Sequence, residues 1–169
     1  LFKICVIGVV KLSKSYISHS MSNSFSLRLK KFDIKTIPAD SVVLFIGKRN
    51  TGKSFLVRDL LYHHQDVPIG TVISGTESAN MGYGKMVPPI FVHDEYTAEL
   101  LEKVIKRQKI IVSKMNKDVE YRNVDPRAFL VLDDCLYDNK WVRDVNIRSC
   151  FMNGRHFKLF FIITMQYAL

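Results

Sequence analysis

Residues 47–54 read Gly47-Lys48-Arg49-Asn50-Thr51-Gly52-Lys53-Ser54 and fit G-x-x-x-x-G-K-[ST] at every position. Residue types at this spacing can hold a polyphosphate. Gly47 and Gly52 let the backbone turn tightly and bring the N–H groups of the loop onto phosphate oxygens. The Lys53 ammonium can reach the β- and γ-phosphates, and the Ser54 hydroxyl can ligate Mg²⁺. Farther along, Phe129-Leu130-Val131-Leu132 ends in Asp133-Asp134. Asp133 could share Mg²⁺ with Ser54, because that ion takes carboxylate, hydroxyl and phosphate oxygens. Asp134 would project differently and could orient or deprotonate an attacking water. ATP and Mg²⁺ are the cofactors these residues imply.

Such groups need a strand and a helix to place them. Val42-Val43-Leu44-Phe45-Ile46 is a short apolar run before the loop, and Phe55, Leu56, Val57, Leu60 and Leu61 recur at helical spacing after it, to about His64. A helix starting at the loop points the positive end of its dipole at bound phosphate. Ala128–Leu132 and Lys158–Thr164 are unbroken apolar runs of the kind buried in parallel sheets. Gly70–Ser74 reads as a short strand between the two motifs, and Phe32–Ile37 alternates like a strand. Ile90–His93 reads as a further short strand. Residues 75–90, rich in Gly, Asn, Ser and Pro, read as a long loop. Residues 97–118 predict a long helix with Leu101, Val104, Ile105, Gln108, Ile111, Val112 and Met115 on one side, and 141–153 predict another. Alternating strands and helices predict an α/β fold with a mainly parallel central sheet and right-handed crossovers.

The chain has 169 residues, 47% hydrophobic and 24% charged, enough for one domain with a real core. No apolar run is long enough to span a membrane, and the start lacks a signal-peptide cleavage pattern. Three widely spaced cysteines, Cys5, Cys135 and Cys150, suit free thiols in a reducing compartment. Net charge is +9, unevenly spread. Basic residues outnumber acidic ones seven to two in 1–41, seven to two in 103–122 and five to one in 139–158, whereas 42–102 and 123–138 are net acidic. Positive charge therefore flanks the candidate site, which suits a polyanionic partner as well as it suits plain solvated surface. Residues 1–21 are expected to be an N-terminal extension, with Met21 as a candidate start. Residues 22–169 are expected to form the domain, continuing past Leu169.

The loop, the Phe129–Asp134 strand, and Gly154-Arg155-His156 leading into Phe160-Phe161-Ile162-Ile163-Thr164-Met165-Gln166 together resemble the poxvirus-type virion DNA-packaging ATPases of large DNA viruses. These belong to the FtsK–HerA superfamily, within the additional-strand P-loop ATPases, and the expected extra strand is Gly70–Ser74. The likeness spans about residues 30–168. It implies a three-layer P-loop fold and an ATP-hydrolysing translocase that packages double-stranded DNA, in a homo-oligomeric ring that meets capsid or portal components. The virion or a viral factory in host cytoplasm is the implied location. It implies that Gln166 reads the γ-phosphate, and that an arginine, Arg148 or Arg155, acts on the neighbouring subunit's nucleotide. Many additional-strand ATPases carry Glu at the second acidic position, where this chain has the shorter Asp134. A nucleoside or small-molecule kinase is the alternative, although its lid, residues 75–90, would lack an arginine.

Overall fold

Strands form on short runs rich in apolar residues. They are β1 (Ile4–Gly8), β2 (Val42–Ile46), β3 (Ile69–Ser74), β4 (Val92–His93), β5 (Ala128–Asp133) and β6 (Leu159–Met165). The computed structural model describes residues 4–8, 32–80, 82–136 and 139–167. The strands make one sheet in the order β1-β2-β6-β5-β3-β4, every pairing parallel. Successive residues of a strand feed opposite faces. Val43, Phe45, Val72, Val131, Phe160 and Ile162 pack with α1 (Lys53–His63), whereas Leu130, Leu132, Phe161 and Ile163 pack with α3 (Ala98–Lys117) and α4 (Val145–Asn153). Helices thus cover both faces, which is why the strands carry no polar alternation. Among the described residues no helix is long and apolar enough to cross a membrane.

The long helices begin where side chains can satisfy their first N–H groups. Thr97 accepts from Leu100 N at 3.2 Å to start α3, and Asp144 accepts from Asn146 N at 2.7 Å to start α4. In α3 the expected apolar side is inward, with Leu101, Ile105 and Gln108 fully buried. Gln108 donates to Pro126 O and Phe157 O, both at 2.9 Å, and so ties the helix to the chain entering β5 and β6. Gln108→Leu would fill the space but leave both carbonyls without a donor. The expected cost is roughly 1–3 kcal/mol, seen as a melting temperature lower by about 2–10 °C. An unchanged melting curve would mean that those carbonyls find other donors.

Four expectations are corrected. Residues 32–37 are not a strand: Asp33 accepts from Lys35 N at 3.1 Å and Ile34–Thr36 wind into a 3₁₀ turn, leaving only Ile37 buried in this stretch. Of Ile90–His93 only Val92 and His93 pair in the sheet, because Pro89–Phe91 form another 3₁₀ turn. Residues 75–90 are not a simple loop. They hold a short helix, α2 (Glu77–Asn80), and pin Tyr83 and Val87 into the core under α1. Lastly, a strand does stand between the loop strand β2 and the acid strand β5, but it is β6; β3 lies beyond β5. Sequence order had suggested β3, and spatial order reverses it. Ile4–Gly8, within the stretch expected to be an extension, pairs along β2. The rest of that stretch, 1–3 and 9–21, with Met21, lies outside the described residues, as do 22–31 of the expected domain.

Candidate functional site

In an all-parallel sheet the C-terminal ends of the strands share one edge, and β2, β6 and β5 are neighbours there. The loop leaves β2 at Gly47, whose N–H donates to Met165 O at 3.0 Å, so the first loop residue is tied to the last residue of β6. Two loop residues use left-handed backbone, Asn50 at φ 58° and Gly52 at φ 92°. Gly52 is the N-cap of α1 and supplies no side-chain cap, unlike Thr97 and Asp144 on α3 and α4. The N-terminal turn of α1 is therefore presented to whatever anion lies on the loop. Lys48, Arg49, Asn50 and Gly52 are exposed, while Lys53 is buried. Its ammonium donates to Gly47 O at 2.7 Å and Lys48 O at 3.0 Å, which uses two of three donors. Thr51 Oγ1 donates to Lys48 O at 2.8 Å and tightens the same turn.

The acids lie at the end of β5, separated from the loop strand by β6. Asp133 is fully buried, and both of its oxygens are engaged: Thr164 Oγ1 donates to Oδ1 and Tyr83 Oη to Oδ2, each at 2.7 Å. Burial, then the Asp133 charge, push the Tyr83 phenol far above its ordinary value, so it stays a donor. Asp134 leaves the strand in left-handed backbone at φ 50°, a conformation that Asp tolerates better than most residues. Its N–H donates to Thr164 Oγ1 at 3.0 Å, and its Oδ1 accepts from Gln166 Nε2 at 2.9 Å. The structure thus brings Asp134 and Gln166 into contact. Gly75, at the end of β3, lies so close that a Cβ there would stand 2.8 Å from Asp134 O.

Ser54 and Asp133 offer the hard oxygen donors that Mg²⁺ takes, and the remaining positions of such a site are usually phosphate and water. Among the described residues no three His, Cys, Asp or Glu side chains cluster to hold a metal unaided. Cys135 and Cys150 are free and buried, and burial pushes both thiols up to about 12. They are inert packing groups at neutral pH.

Arg155 follows α4 at the entry to β6, the sheet edge opposite the loop, and pairs with Asp40 at 3.3 Å. Arg148 is exposed on α4. Among the described residues neither bonds to the loop or the acids of its own chain. On α3, Lys106, Arg107, Lys109, Lys114 and Lys117 are exposed beside the buried stripe. Tyr83, Thr164 and Glu77 were not expected at the site. Glu77 is buried, and its carboxylate accepts from Tyr83 N and Gly84 N. The one available signal was Glu77 itself, an acid within a glycine-rich stretch.

No family model matches the chain, and no solved structure matches it. It is similar to an uncharacterized protein of Acanthamoeba polyphaga mimivirus, 36% identical over 149 residues, covering 87% of this chain and 52% of that protein. An uncharacterized protein of Invertebrate iridescent virus 6 is 40% identical over 158 residues, covering 88% and 58%. One of Frog virus 3 is 30% identical over 144 residues, covering 85% and 43%. The chain spans about half the length of the curated relatives it matches.

Proposed function

We propose that this chain is the nucleotide-binding core of an additional-strand P-loop ATPase that drives double-stranded DNA into a viral capsid. The observation that carries the reading is the convergence of Lys53, Asp133 and the Asp134–Gln166 pair on the adjacent ends of β2, β5 and β6. The position of β6 between β2 and β5 supports the additional-strand class. Similarity to proteins of large DNA viruses supports the viral setting, in virions or a cytoplasmic viral factory.

In this reading the loop N–H groups and the first turn of α1 bind the phosphates, and Lys53 turns its ammonium toward the β- and γ-oxygens. Ser54 and Asp133 would hold Mg²⁺, which when bound would neutralise phosphate charge. Asp134 orients the attacking water and accepts its proton. Gln166 senses the γ-phosphate by exchanging its bond to Asp134 for one to phosphate. Arg148 or Arg155 serves the neighbouring copy in a ring; among the described residues neither bonds to the loop or the acids of its own chain. The basic side of α3 offers phosphate contacts to duplex DNA. Capsid or portal components are the further partners.

The test is ATP turnover by the full-length protein with and without linear duplex DNA, across salt concentrations. Stimulation by DNA that fades steeply with salt is the expected result, because phosphate contacts release counterions. Turnover indifferent to DNA would overturn the motor reading, and transfer of phosphate to a nucleoside would replace it with a kinase.

A further inference from the structure

Tyr83 spends its hydroxyl in an unusual place. A tyrosine in a core needs one acceptor, and any backbone carbonyl would serve. This one, 3% exposed, reaches fifty residues along the chain to Oδ2 of Asp133. The segment that carries it is held by a buried carboxylate. Glu77 Oε1 and Oε2 accept from Tyr83 N at 3.0 and 3.1 Å, and Oε1 accepts from Gly84 N at 2.8 Å. Burying a charge is costly unless it is well bonded, so Glu77 is a substantial investment in the position of residues 83 and 84. The same segment also runs beside the other side of the site. Arg58 Nη1 lies 3.4 Å from where a side chain at Gly82 would begin, and Arg58 Nε donates to Ser54 O at 3.4 Å. Residues 82–84 therefore bond the strand end that carries Asp133 and lie beside Arg58, which bonds the helical turn that carries Ser54.

We infer that Tyr83, clamped by Glu77, is a positioning residue that sets the Asp133 carboxylate for a metal–nucleotide complex. Each carboxylate oxygen has two acceptor lobes. Thr164 and Tyr83 fill one lobe on each oxygen and fix the plane of the group, which leaves one lobe on each to face a metal or its water. Without the phenol, Oδ2 loses its donor inside a fully buried site and the carboxylate is free to turn. The inference rests on the nucleotide reading above, and it adds a residue outside both motifs.

The experiment is binding of a fluorescent ATP analogue to the full-length protein, titrated against free Mg²⁺ and repeated in EDTA. Tyr83→Phe keeps the ring in its packing and removes only the hydroxyl. The expected result is about a tenfold or larger rise in the Mg²⁺ needed for tight binding, the size expected for losing a hydrogen bond to a charged group. Binding in EDTA, which depends on the loop and Lys53, is expected to stay unchanged. Glu77→Gln removes the clamp's charge and should shift the Mg²⁺ requirement the same way by less; it carries the test if Tyr83→Phe does not fold. Val87→Ala removes core contacts from the same segment and should lower the melting temperature with the Mg²⁺ requirement unmoved. An unshifted Mg²⁺ requirement in Tyr83→Phe, or an equal shift in Val87→Ala, overturns the inference. Wild-type binding that is indifferent to Mg²⁺ overturns the inference alone, whereas wild-type protein that does not bind the analogue at all overturns the nucleotide reading itself, and the inference with it.

Discussion

Lys53→Ala should reduce ATP turnover by at least about 10²–10³-fold, the loss typical when one preorganised donor to developing charge is removed. Two effects add in this chain. The ammonium that would meet the β- and γ-phosphates disappears. So does the tie that folds the loop, since Lys53 Nζ bonds both Gly47 O and Lys48 O. The second effect predicts weaker nucleotide binding as well as slower chemistry. It also predicts a modest loss of stability, because two carbonyls lose a charged partner. Measuring the dissociation constant for nucleotide beside the turnover number and the melting temperature separates the three. A variant that turns over at the wild-type rate would show that the loop does not hold the reacting phosphates.

Asp134→Asn should leave nucleotide binding close to wild type and slow hydrolysis by about 10²–10⁴-fold, the contribution usual for a positioned general base. The substitution is well matched to the backbone: Asn, like Asp, tolerates the left-handed conformation that residue 134 adopts. Its amide oxygen can still accept from Gln166 Nε2, so the contact at 2.9 Å need not be lost. What disappears is the charge and the ability to take a proton. Single-turnover hydrolysis with saturating nucleotide is the measurement. Normal chemistry in this variant would mean that another group is the base.

Much of this site is local in sequence and was legible there. The loop is eight consecutive residues, and its strand and helix are immediate neighbours. Asp133 and Asp134 close an apolar run, and Gln166 closes another. The contacts that arrange these groups were not legible. Tyr83 and Asp133 are separated by fifty residues, Thr164 and Asp133 by thirty-one, and nothing in either local pattern pairs them. Thr164 reads as one more residue in the apolar Phe160–Met165 strand, yet its hydroxyl serves both acids. Strand order was hidden for a similar reason. Chain order places β3 between the motifs, whereas hydrogen bonding places β6 there. The misread segment 32–37 shows the opposite failure. Its alternation was genuine, but a local bond from Lys35 N to Asp33 bends it into a 3₁₀ turn, with Ile37 the one residue it buries.

The register of β5 against β6 carries a consequence for how such chains can diverge. Ala128 to Leu132 pair one to one with Leu159 to Ile163, and adjacent residues feed opposite layers. Swapping one aliphatic residue for another of similar volume leaves that arrangement intact. Deleting or inserting a single residue in either strand does not, because every side chain beyond the change moves to the other layer and the strand end shifts by about 3.3 Å. Asp133, Asp134 and Gln166 would then miss one another however well the new core packed. In an evolving lineage these two strands should therefore behave as fixed-length rulers, open to spelling changes and closed to indels.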